Sequence, residues 1–432
     1  MIDKNEMPRN WLIAPLETFL DYLQPTKYIV ESTDYHESYK TPVLTAGKSF
    51  LLGYTNETEG IFNQLPTIIF DDFTTAIKFV NFPFKVKSSA MKILVPTSDL
   101  VNIRYVYYFM ETLRITADTH KRYWISVGAK HNIPVPPLLE QQRIVVKLEE
   151  LFSELDKGIE TLKTAQQQLK VYRQAVLKYA FEGKLTNPDF KEGELPMGWI
   201  ERNLASVCEI TSSKRIFKDE YVSEGIPFYR TKEVKELSEG KKPAIELYIE
   251  KSKYDEIKSR FQVPGKGDVL LSAVGTIGVS YVIRDEKPFY FKDGNLMWFR
   301  NLRNIDSYFL SYALTHFIRN GKDASVSGSA YNALTIETMK VFKVAIPEFK
   351  EQKLVVQEIE SRLSVCDKIE ETILQGLQQA EALRQSILKK AFEGKLVPQD
   401  PNDEPASLLL ERIKEERAII QPVQKTKTKN VK

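Results

Sequence analysis

Cysteine, histidine and long apolar runs are scarce in this chain. Its 432 residues hold two cysteines, Cys208 and Cys366, and four histidines. Two distant thiols offer no disulfide framework and too few ligands for a zinc site. Four dispersed histidines leave little material for a His-based metal centre or catalytic triad. No apolar run approaches the roughly 18 residues of a membrane span. The opening Met1-Ile2-Asp3-Lys4-Asn5-Glu6 has acids and no apolar core, so a signal peptide is not expected and a reducing cytoplasm fits. The net charge is only +3. A non-specific nucleic-acid coater is usually more basic, although local patches matter more than the total. So small a total is consistent with partner subunits supplying part of any phosphate grip.

Recognisable catalytic motifs are missing too. There is no Gly-x-x-x-x-Gly-Lys-Ser/Thr phosphate loop, so ATP chemistry must lie elsewhere. Asn81-Phe82-Pro83-Phe84 imitates the Asn-Pro-Pro-Phe/Tyr of adenine methyltransferases, but no glycine-rich methyl-donor loop precedes it, and Pro83 fits an edge strand. Glu182-Gly183-Lys184 and Glu393-Gly394-Lys395 mimic a nuclease Glu-x-Lys; their position after helical runs favours capping. Gly265-Lys266-Gly267 is too short for a phosphate cradle and suits a turn before a strand.

What the chain does have is one long helix written twice. Glu140-Gln141 opens a run that closes on Ala180-Phe181-Glu182-Gly183-Lys184-Leu185; Glu351-Gln352 opens one that closes on Ala391-Phe392-Glu393-Gly394-Lys395-Leu396. A constant shift of about 211 residues superposes them without a gap, far beyond solenoid periods. In the first copy Leu148, Leu151, Leu155, Leu162, Ala165, Leu169, Tyr172, Val176 and Tyr179 follow three–four spacing, with Gly158 in one slot, a heptad seam. In the second copy Ile359, Cys366, Ile369, Ile373, Gly376, Ala380, Leu383 and Ile387 hold the same frame, with Arg362 and Lys390 breaking it near the ends. Each run of about 40 residues makes roughly 60 Å of helix. A stripe that long needs a partner, and its own duplicate, antiparallel across a pseudo-two-fold axis, is the economical one. Gly158, Ala165, Gly376 and Ala380 are expected to let the backbones approach closely.

Each helix follows a globular block. Pro8, Trp11 and Leu16 open the first, and Pro196, Trp199 and Leu204 the second, at equal spacing. Short β-type runs follow: Pro66–Phe70 and Ile77–Val80 in the first, Asp268–Ser272 and Gly278–Ile283 in the second. An aromatic helical segment comes next, Ile103–Leu113 and Tyr308–Ile318. The expected fold class is α+β: two α+β domains separated by two long antiparallel coiled-coil helices, as an internal pseudo-two-fold repeat. The expected boundaries are 1–138, 139–188, 189–349, 350–397 and a tail 398–432, whose basic end Lys425–Lys432 lacks periodicity and reads as disordered.

Together these residues resemble the specificity subunits of type I restriction–modification systems. The carriers are the two Pro-x-x-Trp-x-x-x-x-Leu openings, Gly225-Ile226-Pro227-Phe228-Tyr229-Arg230-Thr231, Gly267-Asp268-Val269-Leu270-Leu271-Ser272 with Gly275 and Gly278, Ile346-Pro347 before Glu351-Gln352, and the ending Asp400–Ile413. The first block departs from the pattern: Thr41-Pro42-Val43-Leu44 stands where Gly-x-Pro is usual, and Phe70-Asp71-Asp72 where Gly-Asp is usual. The resemblance implies a non-catalytic DNA-reading subunit with two target-recognition domains. It would bind a bipartite, asymmetric site in double-stranded DNA around an unread spacer set by helix length; half-sites on one DNA face sit roughly 34 Å apart. It would recruit two methyltransferase (modification) subunits and the restriction/translocase subunits. S-adenosylmethionine, ATP and Mg would belong to those partners, with no cofactor, metal or membrane contact of its own. A structural coiled-coil adaptor with protein-binding heads is the rival; it accounts for the heptads but not for duplicated heads with basic, glycine-flanked loops.

Base readout needs polar side chains on groove-facing loops, with cations on phosphates. In the second block the candidates are Ser212, Ser213, Lys214 and Arg215 with Tyr229, Arg230, Thr231 and Lys232, then Thr276, Ser327, Ser329 and Tyr331. Arg230 or Arg215 suits a guanine edge, and Lys214 and Lys232 suit phosphates. In the first block they are Lys40, Thr41, Lys48, Lys85, Lys87, Ser88, Ser89 and Lys130. For each one the plain alternative is a solvated loop residue.

Overall fold

The computed structural model describes residues 7–45, 49–113, 123–187, 194–320 and 334–429. In chain order the first block forms β1 (Leu12–Pro15), β2 (Leu20–Leu23), β3 (Thr41–Leu44), β4 (Leu51–Thr55), β5 (Thr67–Asp71), β6 (Ile77–Val80), β7 (Lys85–Val86), β8 (Met91–Pro96), α1 (Ile103–Met110), α2 (Tyr123–Ser126) and β9 (Asn132–Val135), then α3 (Leu138–Phe181). The second forms β10 (Ile200–Asn203), α4 (Leu204–Val207), β11 (Glu209–Thr211), β12 (Tyr221–Val222), β13 (Ile226–Tyr229), α5 (Thr231–Ser238), β14 (Tyr248–Ile249), α6 (Lys251–Arg260), β15 (Val269–Ser272), β16 (Ser280–Val282), β17 (Tyr290–Phe291), β18 (Leu296–Arg300), α7 (Ser307–Asn320), α8 (Ile336–Val341) and β19 (Lys343–Ile346). Then come α9 (Phe349–Phe392) and α10 (Ala406–Lys429). The chain divides into two units, residues 1–162 with 375–432, and residues 163–374. Each unit thus holds one head, the start of one long helix and the end of the other.

Unit one is built on the sheet β2-β8-β5-β6. Strand β5, Thr67-Ile68-Ile69-Phe70-Asp71, is buried along its whole length, as a continuous apolar run at a sheet centre must be. Successive side chains leave opposite faces. Ile68, Phe70 and Leu94 pack with α1 and the ends of α3 and α9, while Ile69, Ile93 and Val95 pack with Leu44 and Val86 of the second sheet, β4-β3-β7. Unit two repeats the plan on β11-β18-β15-β16. Val269, Leu271 and Phe299 face α7 and the long helices, and Leu270 and Trp298 face the other way, towards Phe291 of the sheet β12-β14-β13-β17. This common plan corrects one reading of the first head. The faces place Ile68 at the position of Val269, so Thr67, and not Asp71 or Asp72, stands where the second head has Asp268.

The long helices each run 44 residues. Their antiparallel pairing is written in matched ion pairs. Arg173 reaches Asp367 at 2.7 Å and Glu370 at 2.9 Å in unit two. Arg384 pairs with Asp156 in unit one and lies over the Phe152 ring at 4.3 Å. Gly376 takes the close approach expected of it, since a Cβ there would stand 3.2 Å from Leu162 Cδ1. Gly158 does not: a Cβ there would meet nothing within 4 Å among the described residues. Tyr172, Tyr179, Ile369 and Leu383, expected in the seam, are also exposed. A straight helix drifts by about 20° per heptad, which carries a strict heptad seam off its partner. Toward the helix ends the heads take over, with Val176, Ala180 and Phe181 buried beside Trp199.

Each long helix ends in a Schellman cap. Gly183 has φ +74°, with Lys184 N–H donating to the Tyr179 carbonyl at 2.8 Å; Gly394 has φ +71°, with Lys395 N–H donating to the Lys390 carbonyl at 2.8 Å. The nuclease-like triplets are therefore helix caps.

The tail differs from the expectation. From Ala406 to Lys429 it is helical, so the disorder expected over Lys425–Lys432 is corrected as far as Lys429; residues 430–432 lie outside the described residues. Ala406, Leu409, Leu410 and Ile413 are buried in the core of unit one. That spacing is an amphipathic stripe, which the basic end of the sequence hides.

Unit one also buries an ion pair unforeseen in the sequence. Lys92, opposite Phe70 on β8, reaches Asp72 at 3.0 Å, and both are nearly inaccessible. Asp72 also accepts the Trp124 backbone N–H at 3.0 Å. Unit two has Met297 and Ala273 at the corresponding positions. Lys92→Met alone should destabilise the protein by about 3–5 kcal/mol, because it strands a buried carboxylate. Lys92→Met with Asp72→Ala, which copies the second head, should recover more than half of that. Chemical denaturation of the four members of the cycle checks this, and a double variant no more stable than Lys92→Met would refute it.

Candidate nucleic-acid interface

In unit two several expected residues converge at one end of the sheet. β11 and β15 end there and β16 and β18 begin there, so Ser212 and Thr276 fall on neighbouring loops. Ser212 Oγ donates to the Leu296 carbonyl at 3.2 Å, and Ala273 N–H donates to the Asn295 carbonyl at 2.9 Å. The short parallel strand β17 ties in the second sheet. Ser213 Oγ donates to the Phe291 carbonyl at 2.7 Å, and Lys292 N–H to the Tyr229 carbonyl at 2.9 Å.

The side chains there differ in availability. Lys214 is exposed; its backbone N–H donates to Tyr290 Oη at 2.7 Å and its ammonium lies 4.6 Å over the Phe261 ring. Arg215 is 69% exposed and meets Asp293 through Nε at 3.0 Å. The rest of its five-donor fork is left for another acceptor. Thr276 is exposed on the β15–β16 loop. Ser327, Ser329 and Tyr331 lie outside the described residues.

Of four expected readers here, three make internal contacts and one buries its hydroxyl. Arg230 donates to Glu233 Oε1 at 2.6 Å and to Glu246 Oε2 at 2.9 Å. Lys232 reaches the same Glu246 at 2.8 Å. Thr231 Oγ1 is buried with no hydrogen-bond partner among the described residues. Tyr229 stacks on Phe289 with ring centres 4.6 Å apart. The motif Tyr229-Arg230-Thr231 thus opens α5 and latches it. Sequence reading could not see Glu246, which comes from a segment without helix or strand spacing.

The first head has the corresponding arrangement in part. Lys87 N–H donates to the Leu44 carbonyl at 3.1 Å, as Lys292 does to Tyr229. Lys87, Ser88 and Ser89 are exposed at that end. Lys85 is not available there: it is buried, 2.7 Å from Glu57, and donates to the Glu59 carbonyl at 2.7 Å. Burial alone would raise the Glu57 carboxyl, but Lys85 and the Ser32 and Glu31 N–H groups outweigh it and hold it below the glutamate range. Lys40 and Thr41 lie at the opposite end of β3, and exposed Lys130 lies on a 3-10 turn before β9. Lys48 lies outside the described residues. Sequence reading missed Lys292, the counterpart of Lys87, because β17 is only two residues long and has no periodicity.

Arg230 has a measurable role in stability. Burial would raise the Glu233 carboxyl, but the Arg230 side chain and backbone N–H groups outweigh this and depress it. A depressed folded value stabilises fully above the unfolded value of about 4.3 and is lost as pH falls through the folded one. Arg230→Gln should therefore cost about 1–3 kcal/mol at neutral pH, and the gap to wild type should close below about pH 4. Melting curves against pH check this; a gap independent of pH would contradict it.

Two α+β heads of one plan, each seated on the start of one long helix and the end of its duplicate, define a duplicated recognition scaffold. Residues 196–379 match the family model of the type I restriction modification DNA specificity domain. Over 197 residues the chain is 43% identical to the EcoR124I/EcoR124II specificity subunit of Escherichia coli, covering 43% of this chain and 46% of that one. The chain thus spans about half the length of that relative. The StySPI specificity subunit of Salmonella potsdam is 23% identical over 462 residues, covering 97% of this chain and 98% of its own. A solved chain from work on complex assembly and conformational transition of the type I R-M system has the same fold, with a TM-score of 0.67 at 18% identity, covering 90% of this chain and 99% of that one. The resemblance read from the sequence holds as a likeness: residues 196–379 match the specificity-domain model, and the chain is similar in sequence and fold to type I restriction–modification specificity subunits.

Proposed function

We propose that this chain is the non-catalytic, sequence-reading subunit of a type I restriction–modification enzyme. The observation that carries this is the scaffold built twice, which presents two sheet ends of different chemistry from one chain. Each head reads one half of a bipartite, asymmetric site in double-stranded DNA. In the second head Lys214 and Lys292 hold phosphates, Arg215 and Thr276 reach toward bases, and Ser327, Ser329 and Tyr331 remain base-contact candidates from the sequence. In the first head Lys87 and Ser88 play the phosphate-holding part. Two modification subunits dock along α3 and α9, and restriction/translocase subunits join for cleavage. S-adenosylmethionine, ATP and Mg act on those partners, in the cytoplasm; among the described residues no helix is long and apolar enough to cross a membrane.

A helix of 44 residues measures about 66 Å, and helix length sets the unread spacer. Removing one turn, four residues, from the middle of both α3 and α9 should shorten the spacer and leave both half-sites intact. Methylation mapping in a host carrying the full system reads both, and an unchanged spacer overturns the ruler. Lys292→Ala should weaken binding about equally across sequences and reduce the salt dependence by roughly one phosphate contact. Binding titrations at several salt concentrations, with the modification subunits present, check this; loss at a single base position would make Lys292 a base reader instead.

A further inference from the structure

The duplication offers an internal comparison that isolates one feature of unit two. Between β16, α7 and the long helices lies a cleft of about 690 Å³, within the range of small-ligand sites. Its counterpart in unit one is filled. α1 and α7 are both capped by a side chain three residues before an inward aromatic, Asn102 to Tyr105 N–H and Asp306 to Phe309 N–H. Tyr107 therefore corresponds to Ser311, and the helix repeat makes Phe152 correspond to Leu363. In unit one Phe79, Tyr107, Tyr108 and Phe152 run ring to ring at 5.4–5.7 Å, with Arg104 and Arg384 laid over the two ends. In unit two the smaller Ser311 and Leu363 leave that volume open.

The open copy also has a different charge. Lys170 of α3 lines the cleft where the repeat puts Glu381, and Lys235 and Arg284 line it too. None of these three makes an ion pair among the described residues. Of the other charged lining groups, Arg173 is held by Asp367 and Glu370, and Glu239 by Lys241 at 2.6 Å. Glu360 is the remaining carboxylate. Burial pushes the His316 imidazole down to about 4, so it is neutral near pH 7. Three unpaired cations thus face one carboxylate between low-dielectric walls, a setting that concentrates anions. Tyr308 and Tyr312 add aromatic faces and phenol hydroxyls, and Thr276, a DNA-contact candidate, lines the same cleft.

We propose that this cleft binds a small phosphate-bearing ligand of nucleotide size, in a site that shares Thr276, among the described residues, with the base-contact candidates. The test uses the full chain, with pyrophosphate and ATP as probes in isothermal titration calorimetry. Wild type should bind saturably. Lys170→Glu and Ser311→Tyr, which install the residues of the closed copy, should each weaken binding by about ten-fold or more, while target-DNA binding with the modification subunits stays unchanged. Exposed Arg284→Gln replaces either variant if melting curves show it unfolded. Absence of saturable binding overturns the proposal, as does equal binding by the variants. If the variants weaken duplex binding and duplex DNA displaces the probes, the phosphates belong to DNA and the small-ligand site falls.

Discussion

The architecture turns on a carboxylate clasp made twice, where each long helix begins. The Trp11 indole N–H donates to Glu140 Oε2 at 3.0 Å, and the Trp199 indole N–H to Glu351 Oε1 at 3.0 Å. The next residue locks the approach to the helix: Gln141 donates to the Pro136 carbonyl and Gln352 to the Pro347 carbonyl, each at 3.0 Å. The same carboxylates catch the chain leaving the other helix. Gln399 donates to Glu140 at 2.6 Å, and Thr186 and Asn187 donate to Glu351 at 2.9 Å. Hydrogen bonds to a charged group each contribute about 1.5–3 kcal/mol net. Each clasp therefore joins a head, the helix that starts beneath it and the helix that ends beside it. The cost is an acid out of water: burial raises the Glu140 carboxyl above the usual range despite the indole, the Gln399 amide and Arg143.

The glycine caps complete the clasp. A Cβ on Gly183 would stand 2.1 Å from Pro196 Cγ, and one on Gly394 would stand 2.4 Å from Pro8 Cγ. Proline, tryptophan, glutamate, glutamine and glycine look like separate signposts in the sequence, and they meet at one junction. That is why they recur at matched spacing while the heads around them diverge. A motif can survive a duplication for its geometry alone, with no chemistry of its own.

This explains what the sequence made legible. The clasp residues, the helix repeat and the central strands are local patterns with strong periodicity or fixed spacing, and they yielded the fold class and the family resemblance. The interface was less legible because availability depends on partners far away in sequence. Arg230 looks like a reader until Glu246 is seen beside it, and Lys85 looks like a phosphate contact until Glu57 closes over it. Lys292 looked ordinary because only its ladder bond to Tyr229 aligns it with Lys87. The helix Ala406–Lys429 was missed because its apolar stripe is short and its end is basic.

The two heads then differ in how each fills a shared frame. The first head puts a lysine and an aspartate into its sheet where the second has methionine and alanine, and rings where the second has serine and leucine. Both choices satisfy the interior, one with a paired charge and aromatic packing, the other with apolar side chains and an open cleft. The duplicated clasp keeps the same backbone ends in place under either filling. Sheet-end loops can therefore change their side chains without disturbing the helices. A scaffold that holds its geometry with buried, repeated contacts and varies its chemistry at strand ends can give two unlike surfaces from one ancestral plan.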